Sequence, residues 1–248
     1  MFKNALIISD NLYLSRKFSE IIDNKKITNC SFTFSISPFT KKDDFKILKR
    51  NIKVFDLKKQ ENIDFIKSNY DLVFSIHCKQ IFPIDLITHV KCLNIHPGFN
   101  PINRGWYPQV FSIIHKLPIG ATIHEIDEKL DHGFIIDREL VIKTSFDTSE
   151  TLYNKIIEKE LELIEKNIEN IIDNKYKAVE PENEGVLYLK RDFNELLELD
   201  LKELILVGDL IDRLRALTHG DFKNAYFIDP DTRKKIFISV KLNKEANE

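Results

Sequence analysis

Over the first 95 residues, short apolar runs alternate with stretches of helical spacing. Ala5-Leu6-Ile7-Ile8 ends at Ser9-Asp10-Asn11 and reads as a buried parallel strand. Leu12, Leu14, Phe18, Ile21 and Ile22 follow at the period of a helix, and Phe32, Phe34 and Ile36 alternate as on a half-buried strand. Ile52 to Phe55 is a further strand, and Glu61 to Asn69 a helix with Ile63, Phe65 and Ile66 inward. Asp71 to Ile76 reads as a strand, Pro83 to Val90 as a short helix with proline in its first turn, and Cys92 to Ile95 as the next strand. Strands alternating with helices predict an α/β fold whose parallel sheet is covered on both faces.

After Gly120 the pattern changes. Ala121 to Ile126 and Phe134 to Ile142 read as two strands around Asp127 to Gly133. Asp147-Thr148-Ser149-Glu150 has an acceptor and a Glu three apart, a capping-box pattern. It opens an amphipathic helix to about Asn174, with Leu152, Ile156, Leu163, Ile164 and Ile168 among its inward residues. The acidic run from Glu180 to Gly185 marks the expected boundary, giving a catalytic domain over 1–185 and a C-terminal region over 186–248. That region holds helices around Asp192 to Glu198 and Lys202 to Ala216. Its end, Ala225 to Ile228 with Lys235 to Leu242 about Asp229-Pro230-Asp231, reads as a β-hairpin.

Composition narrows the field. The 248 residues carry a net charge of -2, with 43% hydrophobic and 31% charged positions, so no bulk attraction to nucleic acid or an anionic membrane is expected. Cys30, Cys78 and Cys92 are too few and scattered for a disulfide framework and are expected as reduced, buried thiols. No signal peptide is read at Met1, and no apolar run approaches the roughly 20 residues of a membrane span. The cytoplasm is the expected compartment.

The chemistry-bearing stretch is Asn94-Ile95-His96-Pro97-Gly98, followed 35 residues after the histidine by Leu130-Asp131-His132-Gly133. Asn94 and His96 lie two apart, so a strand points both to one side. Pro97 and Gly98 then stop the strand, which leaves the pair at its C-terminal end, where open α/β sheets bind ligands. Acyl transfer develops negative charge on a carbonyl oxygen, which a fixed amide N–H stabilises, and an imidazole accepts a proton near neutral pH. Asp131 supplies a carboxylate, supported by His124 on the incoming strand and by Gly133, which permits close backbone approach. The seven histidines show no metal-ligand spacing. The Gly-x-Gly-x-x-Gly, P-loop and Gly-x-Ser-x-Gly patterns are missing from the sequence, and no cysteine shows activation. These readings favour direct transfer over a covalent acyl-enzyme, with no metal.

Together with Arg104-Gly105-Trp106 and Gly120-Ala121-Thr122-Ile123-His124, these motifs resemble the formyltransferases that use N10-formyltetrahydrofolate. Ser75 to Gln80, Gly105 to Gln109 and Thr122 to Asp127 are similar to the bacterial branch that formylates dTDP-linked amino-dideoxy sugars. The matched core runs from about residue 70 to 145. The resemblance implies a Rossmann-like formyltransferase domain with a mostly parallel sheet, plus a small C-terminal helical and β-hairpin region. It places the catalytic trio on Asn94, His96 and Asp131. It assigns the pterin to Ser75, His77, Cys78, Gln80, Ile81 and Phe82, with Ile126, Asp127 and Leu130. His132 stands where many relatives carry a small residue or threonine.

Acceptor contacts are expected from Lys79, Trp106, Tyr107, Gln109 and His124. Asn11, Tyr13 and Arg16 follow the first strand, where a helix N-terminus suits a diphosphate. Phe222, Asn224 and Tyr226, with Phe227, offer aromatic and amide groups for a thymine ring or a dimer seam. The acceptor implied is a dTDP-amino-dideoxy sugar, first dTDP-4-amino-4,6-dideoxyglucose and next a 3-amino-3,6-dideoxyhexose. The product would enter O-antigen or another surface polysaccharide, and a homodimer through the hairpin is expected. A methionyl-tRNA formyltransferase needs a basic surface, yet residues 191–248 hold 10 Lys plus Arg against 12 Asp plus Glu. A folate- or sugar-nucleotide-binding module is the non-enzymatic alternative.

Overall fold

The computed structural model describes residues 1–245. In chain order its first part comprises β1 (Asn4–Ser9), α1 (Leu12–Asn24), β2 (Ser31–Ile36), β3 (Ile52–Val54), α2 (Gln60–Asn69), β4 (Leu72–Ile76), α3 (Ile84–Ile87) and β5 (Lys91–His96). There follow β6 (Arg104–Gly105), α4 (Pro108–Ile114), β7 (Gly120–Glu125), β8 (Ile135–Leu140) and the long α5 (Ser149–Ile172). One seven-stranded sheet runs β3-β2-β1-β4-β5-β7-β8. Its first five strands are parallel, β7 runs antiparallel to them, and β8, antiparallel to β7, runs in their direction again. The chain moves outward from β1 to β3 and then returns to β4, so the order reverses between β1 and β4. A crevice opens outside the strand C-termini at such a switch point, and the end of β5 lies one strand away.

The continuous apolar run of β1 has a simple cause. Ala5 and Ile7 enter the core built with Leu14 and Phe18 of α1 and Leu152 and Ile156 of α5. Leu6 and Ile8 enter the opposite core with Ile63 and Ile66 of α2 and Leu86 of α3. Both faces are covered, so every position is apolar, and full burial of each large side chain contributes about 1.5–3 kcal/mol.

Four local expectations need correction. β2 is interior rather than half-buried at its C-terminal end, because β3 pairs on its outer side and Ser35 is buried with Phe34 and Ile36. Phe65 is 42% exposed, since only Ile63 and Ile66 share the inward face of α2; Lys53 Nζ sits 4.5 Å from the centre of its ring. α3 covers a single turn instead of Pro83 to Val90. The cap of α5 is Thr148, paired reciprocally with Thr151, one residue later than the Asp147–Glu150 pattern. The Asp147 carboxylate instead takes the Thr144 N–H at 2.7 Å and Lys155 Nζ at 2.8 Å.

Beyond the acidic run lie β9 (Leu187–Tyr188), α6 (Lys190–Glu195), α7 (Val207–Leu217), β10 (Tyr226–Ile228) and β11 (Lys235–Phe237), the last two an antiparallel hairpin. The tail is stitched to the first part. β9 pairs in parallel with β6, α7 packs on α4, and Arg215 donates to the backbone carbonyls of Thr144 and Asp147. Among the described residues no helix is long and apolar enough to cross a membrane.

Candidate active site

β5 sets the geometry. Cys92 packs into the core beside α2 and α3, and Asn94 and His96 follow on the same face at period two. Antiparallel pairing with β7 sets His124 opposite Asn94 and Thr122 opposite His96. The loop after β7 then brings Asp131 back over the strand end. Asp131 adopts φ +47°, a left-handed conformation that aspartate tolerates better than most residues. Its backbone carbonyl accepts from Asn100 Nδ2 at 3.0 Å, and the preceding Leu130 carbonyl accepts from Arg104 Nε at 3.1 Å. At Gly133, which ends this turn, a Cβ would lie 1.9 Å from the Glu125 carbonyl oxygen, so the close approach read from the sequence is realised.

The three predicted groups meet. Asn94 Nδ2 donates to Asp131 Oδ1 at 3.0 Å and lies 3.2 Å from His124 Nε2. His124 Nδ1 donates to the Glu125 carbonyl at 2.7 Å, which leaves Nε2 as the acceptor for Asn94. His96 Nε2 donates to the Asn103 carbonyl at 2.8 Å, so its lone pair is on Nδ1, 3.6 Å from Asp131 Oδ2. The Gly105 N–H donates to Asp131 Oδ2 at 3.0 Å. Burial pushes the Asp131 carboxyl up, but the positive charge that His96 and His124 carry when protonated, the hydrogen bond His124 then donates, and the Gly105 N–H outweigh it and hold the group well below the usual carboxylate range. An anion is therefore fixed beside a nearly buried imidazole and an amide.

A cavity of roughly 460 Å³ opens over these groups. His77, Cys78, Lys79, Gln80 and Ile81 form one wall, Gly105, Trp106, Tyr107 and Gln109 another, with Leu130 and Tyr153 completing it. Of the residues expected around the pterin, Ser75, Phe82, Ile126 and Asp127 lie outside this lining. Ser75 is buried beside Asn94 in the sheet, Phe82 and Ile126 pack into the second core, and Asp127 accepts from His132 Nδ1 at 2.6 Å. Gln80 turns its amide to the backbone of Phe55 and Leu57. The cavity mouth is apolar and accessible: Ile81 is 85% exposed, Trp106 45% and Leu130 41%. Flat apolar faces over a polar floor fit an aromatic heterocycle carrying a reactive carbonyl.

Of the expected acceptor contacts, Lys79, Trp106, Tyr107 and Gln109 line the cavity, while His124 is buried beneath it. Asn11 caps α1 by accepting from the Leu14 N–H, Tyr13 donates to Glu158, and Arg16 pairs with Glu20 along the helix. The structure does not bring these three side chains into the cavity lining. Phe222 is exposed, Asn224 donates to the Leu217 carbonyl, and Tyr226 donates to Glu198 on the hairpin side.

Sequence reasoning missed several residues that build the site. Asp10 accepts from the Ser37 N–H and hydroxyl, Thr40 Oγ1 and the Lys79 N–H, tying the ends of β1 and β2 to the cavity wall. The polar Ser9-Asp10-Asn11 stop after an apolar run was its only signal. Asn100 and Asn103, which hold the Asp131 turn and His96, had no periodic signal at all, and Arg104 was read only as part of a motif. Cys78 lines the cavity, but burial pushes its thiol up to about 12, so it stays protonated.

An amide, an imidazole and a fixed carboxylate meet at the C-terminal edge of this sheet, and the chain belongs to the formyl transferase family. Residues 33–168 match that family, and residues 192–244 match the N-formyltransferase dimerization C-terminal domain. A Mycobacterium tuberculosis relative, dTDP-4-amino-4,6-dideoxyglucose formyltransferase, is 51% identical over 186 residues, 75% of this chain and 79% of its own length. The crystal structure of a 4-N formyltransferase from Francisella tularensis shares 42% identity with a TM-score of 0.92, over 98% of this chain and 99% of that one. A sugar N-formyltransferase from a Shewanella species shares 35% identity with a TM-score of 0.93, over 98% and 99% of the two chains.

Proposed function

We propose that this formyltransferase passes a formyl group from N10-formyltetrahydrofolate to the amine of dTDP-4-amino-4,6-dideoxyglucose by direct transfer. The observation that carries the reading is the convergence of Asn94 and His96 on an Asp131 held as an anion. The donor supplies an activated formyl carbon on N10 when bound against Ile81, Trp106 and Leu130. His96 takes the acceptor's proton on Nδ1, the nitrogen left free by the Asn103 carbonyl. The imidazolium so formed faces Asp131, whose charge offsets it, and returns the proton to N10 as the carbon–N10 bond breaks and the tetrahedral intermediate collapses to the formamide. Asn94 turns the N–H of its longer contact, the one to His124, onto the developing oxyanion. Such contacts tighten as the reacting complex forms.

The choice of a 4-amino sugar follows the mycobacterial relative. Dimerisation through the C-terminal region is part of the same proposal. Leu204, Leu206, Val207 and Phe237 are exposed within the matched dimerization domain and would be covered in a dimer. A 186–248 unit with this role works in the cytoplasm, where the folate donor and nucleotide sugars are available.

The test is to incubate the protein with the formyl donor and dTDP-linked 3-amino and 4-amino sugars, then read product by mass spectrometry. The 4-amino sugar should gain one formyl group, and His96→Asn should abolish turnover while leaving acceptor binding intact. Near-normal turnover by His96→Asn, or no product from any amino sugar, would refute the assignment.

A further inference from the structure

Beneath one end of the cavity lies a buried polar network that the formyl-transfer steps do not use. Glu160 on α5 is fully buried, and its carboxylate oxygens lie 2.9 and 3.0 Å from His77 Nε2. The other ring nitrogen of His77 is 3.0 Å from the Tyr153 hydroxyl. Tyr153 lines the same cavity as Asn94, His96 and Asp131. His77 itself has φ +50°, a left-handed conformation that a residue with a Cβ adopts at a cost. A buried carboxylate–imidazole pair seldom improves on apolar packing of the same volume. Here it turns a ring on a strained backbone toward one hydroxyl.

The surroundings say which ligand that hydroxyl meets. Tyr153 is one helical turn beyond Ser149, whose hydroxyl contacts Gln109 Nε2 at 3.2 Å and His219 Nδ1 at 3.1 Å. His219 belongs to the C-terminal region and packs edge-on against Tyr153 at 5.5 Å. Burial holds His219 below the usual histidine range, and burial with the Glu160 charge pushes the Tyr153 hydroxyl up to about 12. This end of the cavity therefore presents neutral hydrogen-bonding groups. Elsewhere the lining presents the exposed apolar side chains of Ile81 and Leu130. Hydroxyls of a hexose suit the first and a flat heterocycle the second. A tyrosine hydroxyl has three hydrogen-bonding directions. His77 takes one, and Tyr153 presents the others where it lines the cavity.

We infer that Tyr153 is a specificity-determining residue that hydrogen-bonds the hexose of the acceptor, and that His77 and Glu160 are its positioning residues. The inference rests on the sugar-formylating reading of this site. Tyr153→Phe should raise the KM for dTDP-4-amino-4,6-dideoxyglucose about tenfold, the loss expected for one well-placed hydrogen bond. The kcat should stay within about threefold and the KM for the formyl donor should not move. Glu160→Ala should reproduce this shift by releasing the His77 ring. Glu160→Gln, whose amide oxygen still accepts from His77, should restore a near-normal KM.

Titration calorimetry supplies the binding arm, with dTDP-4-amino-4,6-dideoxyglucose and with dTDP alone. Tyr153→Phe should weaken the sugar nucleotide about tenfold and leave dTDP unchanged. An unchanged acceptor KM and affinity, a shift in donor KM instead, or equal weakening of dTDP would each overturn the inference. The calorimetric comparison holds whether or not the wild type forms product, so a failed transfer reaction would count against the proposed activity alone. Melting curves of each variant confirm that the fold is kept.

Discussion

Replacing Asp131 by asparagine separates the site's electrostatics from its shape. The carboxylate accepts from Asn94 and from the Gly105 N–H, and it faces His96 and His124. An amide of the same shape keeps one oxygen and turns a donor toward one of these donors. One hydrogen bond to a charged group, about 1.5–3 kcal/mol, is lost, and a buried donor goes unpaired at about 1–3 kcal/mol. Burial opposes this loss, because a neutral group is easier to bury. The direction of the Asp131 shift decides between them: its carboxyl is held below the usual range despite burial, so the partners win.

A depressed carboxyl contributes stability above its unfolded value, near 4 for aspartate, and loses it as pH falls through the folded value. Asp131→Asn should therefore lower stability at pH 7 by about 2–5 kcal/mol, and in a chain of this size the melting temperature by roughly 5–15 °C. The gap to wild type should narrow as pH falls below about 4. Turnover should fall by roughly 10²–10⁴, since the His96 imidazolium loses its counter-charge. Calorimetric melts at pH 7 and pH 3, with rates of formylated product, measure both. An Asp131→Asn protein that melts at or above wild type at pH 7, or turns over within tenfold of it, would refute the argument.

His124→Phe removes the acceptor that orients the Asn94 amide, so kcat should fall about 10–100-fold with little change in either KM, read by steady-state kinetics. Gly105→Ala places a Cβ 2.1 Å from the Tyr188 carbonyl oxygen at φ +88°. It should cost upward of about 2 kcal/mol and speed proteolysis near residues 180–188, since β6 can no longer hold β9. Cys78→Ala should keep kcat within about threefold, because a thiol pushed up to about 12 is no nucleophile at neutral pH; a large loss of turnover would reopen a covalent route.

Much of the fold was legible before any coordinates because its signals are local. The run Ala5 to Ile8 announces a strand buried on both faces, and Asn94 with His96 shows two groups on one side of a strand by period alone. Asp131 was legible only through its motif, since nothing in a turn aspartate's neighbours says that the chain carries it back 35 residues to its partners. The acidic run after α5 reads as a simple linker, yet the backbone beyond it returns to pair with Arg104 and Gly105. Asn11, Tyr13 and Arg16 follow β1 in sequence as diphosphate ligands would, and only the fold shows that Tyr13 meets Glu158 and Arg16 meets Glu20.

Periodicity, turn chemistry and motif spacing set the succession of strands and helices along the chain and placed Asn94 and His96 together at a strand end, because each depends on residues a few positions apart. Long-range approach settled the rest. The charge on Asp131 comes from a histidine on β5, another on β7 and the Gly105 N–H, and the lone pair of His96 is assigned by the carbonyl of Asn103. The Tyr153–His77–Glu160 network joins side chains more than 70 residues apart in the chain. Hydrogen bonds and burial of this kind arise from the closed fold, where distant segments exclude water together, and no local pattern of residue types encodes them.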